Sequence, residues 1–306
     1  MTSGLPDSLF TAAPRWEWLI VFYFFIGGIA GGSYFLAALI DLVGGWEDRR
    51  LARLGYYIAL PAVIVSGLLL IVDLTRPLRF WHMLIESNTW RPMLKWWSPM
   101  SIGSWALLLF GLFAFVSFVA ALADDERIRW RGLSAFRPPH PLGVVWTGIG
   151  GLFGFFVAGY TGVLLSVTNR PVWSETNLLG LAFLLSGAST AAALLLLLAP
   201  RRRWAPPGIR ALERFDTVIL VAELVVLVAI VASVWSVASH VWFNWWGLLL
   251  VGGVVIIGII LPLALQLRPT LVPRLGAVGA ALLVLIGGFL LRVVFVLSPE
   301  HVGRVA

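Results

Sequence analysis

The chain has 306 residues, of which 60% are hydrophobic and only 12% are charged, and its formal net charge is +7. Soluble domains are about one-quarter charged, so this composition excludes an ordinary soluble domain and places the chain in a lipid bilayer. The sequence contains no cysteine, which excludes iron–sulfur clusters held by thiolates, disulfides and covalently attached c-type haem.

Eight apolar segments are long enough to cross the hydrocarbon core of a membrane as helices. They are predicted at residues 17–44, 53–74, 98–123, 141–166, 177–199, 215–239, 244–267 and 271–297. The segments between them are at most about 25 residues long, too short for an extramembrane domain of about 50. We therefore predict one all-α, polytopic membrane domain over residues 1–306, whose first span is too long to be a cleavable signal.

The first span carries four glycines within the stretch FYFFIGGIAGGSYFLA, at Phe22–Ala37. A dinucleotide-binding loop needs a preceding strand and a following acidic residue, and neither fits inside an uninterrupted apolar span. Gly27 with Gly31, and Gly28 with Gly32, instead form two overlapping GxxxG pairs. This spacing predicts close packing of a neighbouring helix.

Basic residues predict the orientation of the chain. The loops after spans one, three, five and seven carry fourteen arginines, whereas the opposite side carries seven arginines and lysines. Because cytoplasmic loops are enriched in these residues, both termini are expected on the outer side. The basic residues form short clusters at span ends, which does not favour nucleic-acid binding.

The histidines fall in loops or at span ends, where they are poorly placed to hold a haem between helices. They are His82, His140, His240 and His301. The sequence also lacks a zinc-protease motif, a hydrolase nucleophile motif and a phosphate-binding loop. We therefore expect no haem, no metal site and no catalytic residue in this protein.

A first group of polar residues converges on the outer side of the predicted topology. Tyr23 lies near the outer end of span one, Asp73 ends span two, and His82 follows in the next loop. Tyr160 and Thr161 lie within about 10 Å of the same side. These side chains suit a quinone head group, whose oxygens need hydrogen-bond partners and a proton route. The alternative is that the tyrosines anchor the membrane interface, and that the aspartate and the histidine are simply solvated.

Tryptophans at span ends are expected to be interface anchors. This interpretation covers Trp16, Trp18, Trp90, Trp96, Trp97, Trp173, Trp242, Trp245 and Trp246.

A second group of polar residues lies on the later spans. Asp216 and Glu223 are seven residues apart, hence on one face of span six, and Arg292 lies near the outer end of span eight. Charged groups inside a membrane are costly, and they indicate a proton path or, alternatively, a structural pairing of Glu223. A secondary transporter could use the same three residues, and it would show broken helices at matching positions of two halves. Asp41 is expected at the membrane interface.

Two motifs carry a resemblance to a known family. The segments DLTRPLRFW, at Asp73–Trp81, and SPMSIGSW, at Ser98–Trp105, are similar to the second-to-third span signature of the NrfD/PsrC family. Members of this family are membrane subunits of polysulfide-reductase-type complexes. The glycine-rich first span and the segment GYTG at Gly159–Gly162 agree with this resemblance, which covers essentially the whole sequence.

The resemblance implies a haem-free protein of two four-helix bundles in the bacterial inner membrane, binding menaquinone or ubiquinone near the outer side. It implies electron exchange with a four-cluster ferredoxin-type iron–sulfur subunit, joined to a molybdopterin catalytic subunit or to modules like those of alternative complex III. Proton translocation can accompany this reaction. Tyr160 matches a quinone-contacting tyrosine, and Tyr23 stands where some members carry a histidine. Arg76 and Arg79 are expected to help dock the partner.

Overall fold

The computed structural model describes residues 16–127, 131–168, 170, 172–199, 207–235, 241–267 and 276–302. Eight helices in these ranges are long and apolar enough to cross a membrane, and the described residues contain no strand beyond one isolated bridge. The helices are α1 (Trp18–Val43), α2 (Arg49–Asp73), α3 (Pro99–Asp124), α4 (Pro141–Ser166), α5 (Leu179–Leu198), α6 (Pro207–Ser233), α7 (Trp245–Leu267) and α8 (Gly276–Val302). The predicted all-helical architecture with eight spans is confirmed.

The largest difference between predicted and observed boundaries is at the start of α6. This helix begins at Pro207 rather than at residue 215. Its first turns carry Arg210, Glu213 and Arg214, so hydropathy detects only the apolar part of a longer helix. Proline at the first helical position is favourable because its missing N–H would have no partner there. The predicted start of span eight, residue 271, lies outside the described residues.

The glycine-rich helix α1 lies at the centre of the protein. It packs against α2, α4, α5 and α8. It is the most deeply buried of the eight spans, and α6 is the least buried. Further contacts join α2 to α3, α3 to α4, α5 to α6 and α8, and α7 to α8. Every other span is thus placed directly or through one neighbour against α1.

Consecutive helices run antiparallel. Gly103 near the start of α3 faces Tyr160 near the end of α4, and Gly253 in α7 faces Leu290 in α8. The helix ends therefore form two sides of the protein. We call the side that contains the start of α1 the Tyr23 face and the opposite side the Asp41 face.

Two glycines of α1 allow its backbone to approach two neighbouring helices closely. A Cβ atom at Gly31 would overlap the carbonyl oxygen of Gly154 in α4 and lie 3.0 Å from the Ala158 nitrogen. A Cβ atom at Gly32 would lie 2.6 Å from the carbonyl oxygen of Gly187 in α5. These two positions show the close packing that small residues permit between membrane helices.

The other two glycines of the motif have looser surroundings. A Cβ atom at Gly28 would lie 3.2 Å from Arg292 Nη2 and 3.5 Å from the Cα of Gly187. A Cβ atom at Gly27 would lie 3.6 Å from its nearest neighbour, an ordinary van der Waals distance. Helix packing therefore does not require glycine at residue 27.

Three tryptophans that were expected at the membrane interface are buried in the protein. Trp173 is fully buried and donates to the carbonyl oxygen of Phe295 at 2.5 Å. Trp16 stacks on Trp173 with ring centroids 5.2 Å apart, and Trp242 donates to Ser298 Oγ at 3.1 Å. The expectation of interface anchoring was wrong for these three, because they join the Tyr23-face loops to the ends of α1 and α8.

The turn between α1 and α2 is tied to the start of α6 by a buried carboxylate. Asp48 Oδ1 accepts the backbone N–H of Gly208 at 2.8 Å, and Asp48 Oδ2 accepts that of Gly45 at 3.3 Å. The first N–H groups of a helix lack partners within the helix and carry its positive dipole end. Asp48 therefore caps α6 from another part of the protein.

Substituting Gly31 with alanine should destabilise the protein, because the new methyl group overlaps backbone atoms of α4 that cannot move independently. We expect a loss of about 1–3 kcal/mol, measured as a lower thermal unfolding midpoint of the purified protein in detergent. Gly111→Ala in α3 is the matched control, since a Cβ there meets nothing within 4 Å. Equal midpoints for the two variants would contradict the packing role of Gly31.

Candidate functional site

A cluster of hydroxyl groups lies inside α1, α2 and α4, close to the Tyr23 face. Tyr23 and Tyr160 are 4% and 8% exposed, and both belong to the same buried cluster of side chains. Ser66 of α2 is fully buried and faces the same region from the side of Gly27. The structure thus brings together two predicted site residues from spans that are far apart in sequence.

Tyr160 is held in place by three neighbours. Its hydroxyl donates to the carbonyl oxygen of Pro99 at 2.5 Å, and its ring stacks on Phe156 with centroids 5.5 Å apart. Gly103 lies directly against the ring, where any side chain would overlap it. The start of α3 therefore fixes the position of this tyrosine.

The other residues predicted for this site occupy separate positions. Asp73, the last residue of α2, is partly exposed and has Glu17 as a charged neighbour. His82 lies in the loop after α2, and its ring centroid is 3.8 Å from that of Trp81. Thr161 is fully buried and donates to the Ala158 carbonyl of its own helix at 3.5 Å. No hydrogen bond or ion pair among the described residues joins these three to the two tyrosines.

The loop between α2 and α3 forms an exposed surface on the Tyr23 face. Arg76 and Arg79 are exposed there, together with Leu78 and Trp96. The loop is anchored to α3, since Trp105 Nε1 donates to the Met93 carbonyl oxygen at 3.1 Å. An ordered surface that combines exposed cations and large apolar side chains is suited to a protein partner.

A second polar cluster surrounds Arg292, which is fully buried between α5, α6 and α8. Its Nη1 donates to Ser186 Oγ at 2.5 Å and to the Gly288 carbonyl at 2.8 Å, and Nη2 donates to the Phe183 carbonyl at 3.2 Å. Glu223 is 3% exposed and interacts with both Ser186 and the Arg292 charge. Ser186 therefore links the buried acid to the buried cation.

The same cluster continues toward the Asp41 face through Asp216. This carboxylate is 1% exposed and accepts hydrogen bonds from Ser189 Oγ at 2.8 Å and Gln266 Nε2 at 2.7 Å. Gln266 Oε1 in turn accepts the Thr217 hydroxyl at 2.7 Å. Because Gln266 is the second-last residue of α7, polar side chains extend from the Asp41 end of the helices inward to Glu223.

A third polar cluster lies at the Asp41 face, where the sequence predicted only an interfacial Asp41. Arg137 Nη2 donates to both Asp41 oxygens, at 2.8 and 2.7 Å, and Nη1 lies 3.0 Å from Asp124 Oδ2. The Asp41 side chain is 2% exposed, and Tyr56 donates to it at 3.1 Å. Burial alone would lower the pKa of Arg137, but Asp41 and Asp124 together raise it above its ordinary value. Asp41 lies two residues from the end of α1, and the loop carrying Arg137 covers its carboxylate, a contact that the sequence did not predict.

The family described as "Polysulphide reductase, NrfD" matches residues 10–300. The chain belongs to the NrfD family. The resemblance read from the motifs of spans two and three is therefore confirmed.

Individual relatives agree with this membership of the NrfD family. The sequence is 28% identical over 314 residues to "Protein NrfD" of Escherichia coli K12, covering 90% of this protein and 92% of that one. It is 32% identical over 187 residues to a polysulfide reductase chain of Wolinella succinogenes, covering 57% and 55%. It is 27% identical over 107 residues to a selenate reductase subunit of Mesobacillus selenatarsenatis, covering 35% and 23%.

Sequence reasoning missed several polar residues of this NrfD-family protein. Ser66 lies seven residues before Asp73, a spacing that places both on one side of α2. Gln266 is the only glutamine of the sequence and lies in an apolar span. Both signals were present in the sequence, whereas nothing local pairs Arg137 with Asp41, 96 residues away.

Removing Arg137 should strongly destabilise this NrfD-family protein, because Arg137→Ala leaves the buried Asp41 carboxylate without its cation. Breaking a buried ion pair in this way costs about 3–5 kcal/mol, which thermal unfolding in detergent would detect. Arg53→Ala is the control, since Arg53 pairs with the more exposed Asp125 at 3.0 Å and should contribute less than about 1 kcal/mol. Similar losses in the two variants would contradict the importance of burial.

Proposed function

We propose that this NrfD-family protein is the membrane subunit of a multisubunit respiratory oxidoreductase, and that it binds quinone or quinol near the Tyr23 face. The observation that carries the proposal is that Tyr23 of α1 and Tyr160 of α4 are both buried in one core cluster near the Tyr23 face. A quinone head group is a flat, mostly apolar ring with two oxygens, so it requires apolar walls and a few well-placed hydroxyl groups. The Tyr23 hydroxyl can donate to a quinone, whereas the Tyr160 hydroxyl, which donates its hydrogen to Pro99, can accept from the hydroxyl of a quinol.

The electrons of a bound quinol must then leave through another subunit, because the sequence has no thiolate ligands for a metal cluster. Two relatives are named as parts of reductases, one of a polysulfide reductase and one of a selenate reductase, which supports assembly with other subunits here. We propose an iron–sulfur partner of the four-cluster ferredoxin type, joined to a molybdopterin catalytic subunit or to modules like those of alternative complex III. Its proposed docking surface is the loop that exposes Arg76 and Arg79.

We propose the bacterial inner membrane as the location, with both termini and the Tyr23 face on the outer side. The excess of arginine in the loops of the Asp41 face supports this orientation. We also propose a division into two four-helix bundles, α1–α4 and α5–α8. In this division α1 packs against α2 and α4, α5 packs against α6 and α8, and α5 also joins the two bundles through its contacts with α1 and α4.

The second polar cluster supports coupling to proton movement. Gln266 and Asp216 lead inward from the Asp41 face toward Glu223 and Arg292. Arg292 Nη2 lies beside Gly28, whereas the adjacent Gly27 faces the hydroxyl cluster on the other side of α1. We propose that protons use this route toward the quinone site. Asp216 and Glu223 lie along this proposed route, and a buried acid can carry a proton where a free charge would be costly.

The alternative of a secondary transporter has less support from the described helices. A transporter that used Asp216, Glu223 and Arg292 was expected to show broken helices at matching positions. In the described part of the protein, α2 continues through Pro61 and the seventh span continues through Pro262.

The double variant Tyr160→Phe with Asp73→Asn should abolish most quinol-linked electron transfer by the purified complex. Removing the Tyr160 hydroxyl deletes a hydrogen-bond partner of the head group, and Asp73→Asn removes an ionisable group at the mouth of the site. Quinol oxidation would be measured with the partner subunits attached, and we expect a loss of about tenfold or more for two such interactions.

Tyr57→Phe is the control for this experiment, because Tyr57 donates to Asp125 near the Asp41 face, away from the proposed site. It should retain wild-type quinol oxidation. Unchanged activity of the fully assembled double variant would count decisively against the proposed quinone site.

Glu223→Gln should lower proton translocation by the complex in proteoliposomes more than it lowers quinol oxidation, because glutamine cannot carry a proton. The measurement is the ratio of protons moved to quinol oxidised, with Glu213→Gln as the control on the exposed side of the same helix. An unchanged ratio for Glu223→Gln would exclude it from the path. Solute uptake by this protein alone would favour the transporter instead.

A further inference from the structure

Two serines inside the spans have fully buried hydroxyl groups without a hydrogen-bond partner among the described residues, Ser33 in α1 and Ser66 in α2. Several other span hydroxyls donate to a carbonyl oxygen of their own helix, as Ser166, Thr190 and Ser233 do. A buried hydroxyl without a partner is costly. Each of these two serines therefore requires an explanation.

Ser66 lies beside Gly27, a position with room for about one methyl group. A Cβ atom at Gly27 would lie 3.6 Å from Ser66 Oγ and 3.7 Å from Tyr23 Cε2. Both distances are ordinary contacts, so a space of about one methyl group separates the serine hydroxyl from the tyrosine ring. The space beside Gly31, by contrast, is occupied by the backbone of α4.

We propose that Gly27 and Ser66 form the inner wall of the quinone site, and that Ser66 Oγ is the hydrogen-bond partner of the head-group oxygen farthest from the membrane surface. This inference rests on the proposed quinone function. Gly27 lies four residues, or about 6 Å, farther into the membrane than Tyr23. The absence of a side chain at Gly27 keeps the wall open toward Ser66.

The chemistry of a serine hydroxyl suits both redox states of the ligand. The O–H group can donate to the carbonyl oxygen of a quinone, and the same oxygen can accept from the hydroxyl of a quinol. Ser66 also lies on the side of α2 that ends at Asp73, since the two residues are seven apart. The partly exposed aspartate then marks the mouth of the site and the buried serine its inner end.

The test is a fluorescence titration of the purified complex with the quinone analogue 2-heptyl-4-hydroxyquinoline N-oxide. Ser66→Ala removes the hydroxyl without adding volume, and we expect about tenfold weaker binding. Gly27→Ala fills the methyl-sized gap between Ser66 and Tyr23, and we expect about tenfold or more weaker binding, the effect of one methyl group in a fitted pocket. Both variants should assemble and unfold at wild-type temperatures.

Two substitutions serve as matched controls and should bind the analogue as the wild type does. Ser33→Ala removes the other unpartnered hydroxyl, and Gly67→Ala adds a methyl group next to Ser66 in sequence, where a Cβ meets nothing within 4 Å. Wild-type binding by Ser66→Ala and Gly27→Ala, with weaker binding by Tyr160→Phe, would overturn this inference and leave the proposed function intact.

Two other results would also be decisive. A loss of thermal stability in Gly27→Ala equal to that in Gly31→Ala would show that the space is needed for packing, and would overturn the role of Gly27. Failure of the wild-type complex to bind the analogue or oxidise quinol would instead remove the proposed function itself.

Discussion

The close approach of α1 to α4 and α5 is the constraint on which the rest of the structure depends. Gly31 meets the backbone of α4 on one side, and Gly32 meets the backbone of α5 on the other. In a bilayer, helices gain little from hiding apolar surface, so such small-residue contacts and buried polar bonds hold them together. Because α1 lies between α4 and α5, the hydroxyl cluster beside Gly27 and the Arg292 cluster beside Gly28 are separated by the thickness of one helix.

Buried polar residues are distributed unequally around this central helix. The interior of α1–α4 is polar at the Tyr23 face and at the Asp41 face, with apolar residues such as Ala30, Phe110 and Val157 between. The interior beside α6 instead contains acids and hydroxyls over a longer depth. In a low-dielectric medium, a charge is tolerated only with hydrogen-bond partners. The two interiors thus differ in how far into the membrane their buried polar groups extend.

The sequence predicted the elements of this structure better than their contacts. Span number follows from hydropathy, because an apolar segment of sufficient length has few alternatives in a membrane. Spacing identified the glycine pairs, but it could not distinguish Gly31, where a Cβ would overlap a backbone, from Gly27, where a Cβ would make only ordinary contacts. Sequence spacing identifies the face of a helix that carries small residues, whereas only the structure shows which atoms pack against that face.

The polar residues show the same limit. Tyr23 and Tyr160 were placed near one side by topology, and the structure adds that both are buried in the same core cluster. The burial of Asp41 and Trp173 could not be inferred, since it depends on Arg137 in a loop and on Phe295 in the last helix. Such long-range partners leave no local pattern in a single sequence.

The cap that Asp48 provides to α6 has a mechanical consequence. This helix is the least buried of the spans, and Asp48 holds it at one end through Gly208. Along α6, Asp216 lies about 12 Å from that point and Glu223 about 22 Å, at about 1.5 Å per residue. Any tilt about the clamped end therefore acts as a lever, moving Glu223 relative to Arg292 about twice as far as it moves Asp216 relative to Ser189. The Asp48 carboxylate, in the short turn between α1 and α2, thus fixes the end of α6 about which Glu223 would move.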